Sequence, residues 1–213
     1  MRIAREGWPV IAAAGAVLGM VAGIGTLAGH PAAIAPLAVG LGFLFWFFRD
    51  PERTPPGGER GVVSPADGRV LAVAEEREER FLRTPATRVT VFMSPLDVHV
   101  NRNPVSGTVE RVEHTPGRFR AAFADKASLD NERNAVVLVA GGRRYLVVQI
   151  AGALARRIVC RLRPGDHVER GARFGLIMFG SRMDVFLPAG VRPVVKPGDR
   201  VRAGVTVIAE IDA

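Results

Sequence analysis

The sequence predicts a mainly β domain of pseudo-symmetric, sandwich-like build, preceded by an N-terminal helical membrane hairpin. Three observations carry that expectation. Residues 7–48 contain no Asp, Glu, Lys or Arg. Beyond residue 61, short β-branched runs alternate with turn dipeptides such as Asp67-Gly68 and Gly141-Gly142, the pattern of strands joined by tight turns. Two segments near the C-terminus, "RPGDHVERG" (163–171) and "KPGDRVRAG" (196–204), share Pro, Gly, Asp, Val and Gly at matching places. Each reads as a turn entering a strand, so the fold should contain the same unit twice.

His30-Pro31 divides the apolar stretch into "WPVIAAAGAVLGMVAGIGTLAG" (8–29) and "PAAIAPLAVGLGFLFWFF" (31–48). At about 1.5 Å per residue, each half approaches the roughly 30 Å hydrocarbon thickness of a bilayer. Gly15, Gly19 and Gly23 recur at a spacing that lets helices pack closely. A secretory signal would end at a cleavage site before a polar chain, whereas a second apolar half follows here. Residues 1–48 therefore read as a hairpin of two membrane helices. Pro36 and the glycines weaken the second helix, which leaves a hairpin lying partly in the interface as the other arrangement. Arg2 and Arg5 precede the hairpin and Arg49 and Arg53 follow it, which puts both ends in the cytoplasm, with Trp8 and Trp46 at the boundaries. The expected location is the cell membrane with the body on its cytoplasmic side. "RDPERTPPGGERG" (49–61) reads as a linker, and 62–213 as the main domain.

The formal charge is +8, a balance that suits nucleic acid, anionic lipid or an anionic substrate. The hairpin selects the lipid surface. The arginines are scattered rather than interleaved with aromatics, so nucleic acid is not an expected partner. A single cysteine, Cys160, excludes an internal disulfide, and in "RRIVCRL" it reads as packed. There is no CxxC, HExxH or helix-opening GxGxxG, so no metal site is expected. "AAFADKASLDNERN" (121–134) reads as a short helix or an ordered loop.

His30 belongs to the hairpin, and His114 and His167 read as surface residues. His99, in "FMSPLDVHVNRNPVSG" (92–107), reads equally as functional or structural. In "SPADGRV" (64–70), Ser64-Pro65 begins a turn and Asp67-Gly68 makes a hairpin corner. "FGSRMD" (179–184) lies between the two repeats. The repeats suggest the sandwich of lipoyl and biotinyl carrier domains, with the intervening stretch as a hairpin. Such a domain would present a lysine there, and this tip has none.

Taken together, "SPADGRV", "MSPLDVHVNRNPVSG", "NERNAVV", "VVQIAGA" and "FGSRMD" occur in this order, and the set resembles the phosphatidylserine decarboxylase family in its short branch, over residues 48 to 211. The resemblance implies a proenzyme that cuts itself between Gly180 and Ser181. The Ser181 hydroxyl would attack the Gly180 carbonyl, and elimination and hydrolysis would leave a pyruvoyl group at position 181. A β chain (1–180) and an α chain (181–213) would then form a heterodimer, with the covalent pyruvoyl group as cofactor. The substrate implied is phosphatidylserine, whose amine would form a Schiff base with that group. The products would be phosphatidylethanolamine and CO₂, a step of phospholipid biosynthesis.

The resemblance also implies that Asp67 and His99 form a relay with Ser181. It departs from the longer members at Arg102, which stands where they carry a second histidine, and arginine cannot act as a base near neutral pH. Either His99 serves both steps or the geometry differs in the short branch; His99, oriented by Asp67, is the favoured base and the expected proton source for decarboxylation. Arg102 is a candidate for the substrate's phosphate or carboxylate by proximity in sequence. "NERN" (131–134) and Gln149 match family positions and read as structural hydrogen bonding. Two other functions stay open: a membrane-tethered, carrier-like adaptor without catalysis, and a pyruvoyl decarboxylase of a small soluble amino acid, against which the hairpin argues.

Overall fold

The computed structural model describes every residue except 1, 31, 33, 59, 118–130, 153–156, 179–180 and 213. The chain divides into two compact units, residues 1–52 and 53–213.

In the first unit, helix α1 (Gly7–Leu27) is long and apolar enough to cross a membrane. Helix α2 (Ile34–Phe47) has 14 residues. At 1.5 Å per residue it reaches roughly 21 Å, short of the ~30 Å core of a bilayer. Strands β1 (Arg2–Ile3) and β2 (Arg49–Asp50) pair antiparallel, which brings the two ends of the hairpin together. Gly7 permits a close approach there, because a Cβ on it would lie 2.4 Å from Phe48 Cγ. Trp8 meets Phe45 edge-on with ring centroids 6.4 Å apart. The expected small-residue seam is not used. Nothing lies within 4 Å of where a Cβ would stand on Gly15, Gly19 or Gly23. Aromatic side chains near the base make the helix contact instead.

The second unit is built from strands: β3 (Gly61–Val63), β4 (Gly68–Glu78), β5 (Thr84–Met93), β6 (Val100–Arg102), β7 (Gly107–Thr115), β8 (Arg133–Ala140) and β9 (Arg143–Ala151). There follow β10 (Ile158–Cys160), β11 (His167–Val168), β12 (Arg173–Ile177), β13 (Ser181–Leu187), β14 (Val191–Pro193), β15 (Arg200–Val201) and β16 (Val207–Ile211). The molecule is mainly β, as the sequence predicts. Eight strands form one sheet in the order β11-β7-β8-β9-β13-β5-β4-β15, and two three-stranded sheets, β10-β12-β6 and β14-β16-β3, accompany it. Gly141 and Gly142, at φ +54° and +72°, supply the two left-handed residues of the tight turn between β8 and β9. The central strands "RNAVVLVA" and "RRYLVVQIA" are buried along most of their length. That is why they read as apolar runs rather than as alternation. One core holds Val136, Leu138, Tyr145, Val147, Met183 and Val185, and the opposite face packs Leu146, Val148, Ile150 and Phe186.

The two repeats adopt the same turn. Asp166 and Asp199 each accept a hydrogen bond from the backbone N–H three residues earlier, at 2.8 and 2.9 Å. Each turn then exchanges two backbone hydrogen bonds with a single valine, Val109 for the first and Val70 for the second. β11 and β15 consequently close opposite edges of the long sheet. The stretch between the repeats is not the hairpin expected. β12 joins β6 and β10, while β13 enters the middle of the long sheet. Of the segment 121–134, residues up to 130 lie outside the described residues, and β8 begins at Arg133.

Candidate active site

Ser181 opens β13 and stands opposite Met93 of β5 on one side and Ala151 of β9 on the other. Side chains alternate along a strand, so Met183 and Val185 turn to the main core while Arg182 and Asp184 turn away from it. The latter two make a buried bidentate pair at 2.7 and 2.8 Å. Ser181 is 0% exposed. It is the first residue of a central strand, not the tip of a hairpin. Its hydroxyl donates to Met93 Sδ at 3.3 Å, a weak acceptor.

The chain crosses between the same two sheets twice. It passes from β5 to β6 through residues 94–99, and again from β12, which ends at Ile177, to β13, which begins at Ser181. At one end of this pair of crossings Met93 pairs with Ser181. At the other, Ile177 N–H donates to the His99 carbonyl at 3.4 Å, beside the Leu176–Val100 pair. The two ends of the 94–99 segment, at Met93 and His99, are therefore held against Ser181 and Ile177. Gly180 itself lies outside the described residues.

The turn before His99 is braced by its own polar groups. Ser94 N–H donates to Asp97 Oδ2 at 2.8 Å, and Asp97 N–H donates to the Ser94 carbonyl at 2.9 Å. The His99 ring is fully buried with Nδ1 3.0 Å from the Asp97 carbonyl oxygen. A carbonyl can only accept, so Nδ1 carries the proton, and in the neutral ring Nε2 keeps its lone pair. That is the form a general base needs.

Gly68, next to Asp67, is pressed against β5. A Cβ on Gly68 would lie 1.9 Å from the Phe92 carbonyl oxygen, at a φ of +154°. The Asp67 carboxylate accepts from Arg53 Nη1, from Arg53 Nη2 at 2.7 Å and from Ala203 N–H at 2.8 Å. Asp67 is bound by Arg53, and the Asp97 carbonyl holds Nδ1 of the ring. Sequence reading placed Arg53 only among the charges flanking the hairpin, since an ion pair across a Pro- and Gly-rich stretch has no periodic signal. Pro55 and Pro56 are likewise docked. Pro55 lies against Gly171, and the Pro56 carbonyl accepts from Arg170 at 2.6 Å.

Both partners of the Arg53–Asp67 pair are nearly buried, with side chains 10% and 12% exposed. Removing one leaves the other charge uncompensated, which costs about 3–5 kcal/mol. Arg53→Ala is therefore expected to lower unfolding free energy by that amount in chemical denaturation of the detergent-solubilised protein. A loss below about 1 kcal/mol, the scale of an exposed pair, would show that the pair contributes little.

Arg102, the candidate for the substrate's phosphate or carboxylate, lies inside the fold. It is 3% exposed and donates to the Gly171 carbonyl at 2.9 Å, with its Cδ close to Gly204. It braces the place where the two repeats meet, on the side of β6 opposite Asn101. Cys160 is packed as expected. Burial pushes its thiol up, and a hydrogen bond from the Asn134 side chain opposes that only in part. His114 lies 3.0 Å from Glu132, and His167 lies 3.0 Å from Thr108, both in exposed contacts.

Asn131, Asn134 and Gln149, read from sequence as structural, are all buried. Asn134 Nδ2 donates to Gln149 Oε1 at 3.0 Å, and Gln149 Nε2 donates to Asn101 Oδ1 at 2.9 Å. Asn101 Nδ2 in turn points at Met93 Sδ from 3.9 Å. These amides thus lead to the atom that holds the Ser181 hydroxyl, a connection that sequence spacing could not have revealed.

The sequence profile of the phosphatidylserine decarboxylase family matches residues 41–209. The chain is 53% identical over 179 residues to a phosphatidylserine decarboxylase proenzyme of Salinibacter ruber, covering 82% of this chain and 79% of that one. It is 50% identical over 210 residues to the proenzyme of Symbiobacterium thermophilum, covering 98% and 95%. With the proenzyme of Syntrophus aciditrophicus it shares 46% identity over 203 residues, covering 95% and 94%. Agreement of this extent spans both the strands that build the site and the segments that fill it, and the chain belongs to the phosphatidylserine decarboxylase family.

Proposed function

We propose that this proenzyme cuts itself between Gly180 and Ser181 and then converts phosphatidylserine to phosphatidylethanolamine and CO₂ at a pyruvoyl group made from Ser181. The observation that supports this reading is the 94–99 segment, which bears His99 and whose ends meet the buried Ser181 on one side and Ile177 on the other. The position suits the group, because Ser181 sits between Met93 and Ala151, both fully buried, and water is excluded from the electrophile.

A serine hydroxyl is a poor nucleophile until a base takes its proton, which contributes about 10²–10⁴ in rate. His99 Nε2 is the base in this reading. Ser181 Oγ attacks the Gly180 carbonyl carbon, the C–N bond breaks, and the proton passes to the departing amine, leaving an ester. Loss of the Ser181 α-proton and of the Gly180 carboxylate gives dehydroalanine, and its hydrolysis releases ammonia and leaves the pyruvoyl group. Backbone strain of about 1–3 kcal/mol would supply at most about two decades of rate, so a base is required. Once formed, the group supplies the electron sink for loss of the substrate carboxylate. In this reading His99, protonated, returns a proton to the substrate carbon.

The cut pieces stay together for a structural reason. The α chain begins with β13, which is paired along its length to β5 and β9 of the β chain, and it also contributes β16, paired to β3. The hairpin anchors the enzyme where its lipid substrate resides, raising local concentration without added contacts. The β1–β2 pair brings Arg2 and Arg49 to one side of the hairpin, which supports both ends lying on the cytoplasmic face. Arg49 also lies over the Trp46 ring, 4.1 Å from its centroid, a basic and aromatic pairing suited to the headgroup level.

Mass spectrometry of the purified full chain tests the reading. Two polypeptides are expected, one ending at Gly180 and one beginning with a blocked residue 181. Vesicles of phosphatidylserine should be turned over and free serine should not. An uncut chain with an ordinary serine at 181 would overturn the pyruvoyl assignment, and turnover of free serine would overturn the lipid substrate.

A further inference from the structure

We infer that Gln149, acting through Asn101 and Met93, positions the Ser181 hydroxyl for self-cleavage; this rests on the self-cleavage reading above. Ser181, Met93, Asn101 and Gln149 are each 0% exposed. A chain of buried amides is costly unless every member is paired, and here the pairing leaves one arrangement. Gln149 receives a hydrogen bond from Asn134 at its carbonyl, so its nitrogen must point the other way. That nitrogen donates to Asn101 Oδ1 at 2.9 Å and to the Val159 carbonyl at 3.3 Å. With its oxygen occupied, Asn101 turns its own nitrogen toward Met93 Sδ, 3.9 Å away. The sulfur receives the Ser181 hydroxyl at 3.3 Å.

The route crosses from the long sheet to the sheet of β6, β10 and β12, and Gly175 makes room for it. A Cβ on Gly175 would lie 3.0 Å from Gln149 Nε2 and 2.2 Å from the Val159 carbonyl oxygen. Gly175 also stands opposite Asn101 on β6 and Cys160 on β10. Gln149 thus links the two sheets that residues 94–99 also connect. Methionine has three rotatable side-chain bonds and adapts readily to its surroundings, so its sulfur marks a fixed point only where something holds it. A thioether is also a weak acceptor. It aims the serine proton without retaining it, and a base can take it. A displacement of about 1 Å at a reacting atom is enough to cost about 10²-fold in rate.

The test follows the appearance of cut chain with time, from freshly synthesised full-length protein in detergent, for wild type, Met93→Leu and Gln149→Met. Met93→Leu conserves volume and removes only the sulfur, a change that packing tolerates; its thermal midpoint is measured alongside. The expected result is a cleavage half-time lengthened at least about tenfold in both variants, toward the 10²-fold scale of a misplaced reacting atom, with the Met93→Leu midpoint close to wild type. Restoring an amide with Gln149→Asn should recover less than the wild-type rate, because the shorter side chain does not reach Asn101. Should wild type cut itself while Met93→Leu and Gln149→Met keep pace with it, the positioning role is wrong and the self-cleavage reading stands. A wild-type chain that never cuts overturns both.

Discussion

Ser181→Ala is expected to yield one uncut chain with no decarboxylase activity and an essentially unchanged fold. The attack on the Gly180 carbonyl requires Oγ, and alanine has none, so neither the ester nor the pyruvoyl group can form. The fold should survive because, among the described residues, the hydroxyl is bonded only to a thioether sulfur. Deleting one hydrogen bond costs about 0.5–1.5 kcal/mol, and the weak acceptor places this one at the low end. Alanine fits a fully buried strand position, and Met93 and Ala151 still flank it. Gel analysis and a lipid decarboxylation assay read the result together. A Ser181→Ala protein that still released CO₂ from phosphatidylserine would place the electrophile elsewhere.

His99→Asn is expected to slow self-cleavage by about 10²–10⁴, the contribution of a positioned base. Asparagine is the informative replacement because its side-chain amide can still donate to the Asp97 carbonyl, the contact now made by Nδ1 at 3.0 Å. What it cannot offer is the Nε2 lone pair. The braced 94–97 turn and the Ile177 contact to the backbone of residue 99 should both persist. A rate effect with an unchanged thermal midpoint would therefore separate base chemistry from packing. Cleavage at the wild-type rate would show that the proton of Ser181 goes to another group. Arg102 is not that group, since a guanidinium cannot take a proton near neutral pH.

Much of the architecture was legible in the chain itself. The charge-free stretch marked the helical hairpin, glycine pairs marked turns, and the shared Pro-Gly-Asp pattern marked two equivalent turns. Each of these depends on neighbours in sequence, through backbone torsion preferences or the periodicity of burial. The segments around Ser181, His99 and Asp67 were likewise recognisable as a set, because each is a short contiguous run. What binds those segments to one another was not. The sequence contains no sign that Asp67 pairs with Arg53, that the Asp97 carbonyl meets the His99 ring, or that Gln149 reaches Asn101. Those contacts join residues from separate strands, and strand order is decided by which long-range pairings bury the most apolar surface. The course of the stretch between the repeats was decided in the same way, with β13 drawn into the centre of the long sheet and β12 sent to another. Local chemistry named the serine, and only tertiary packing determined what touches it.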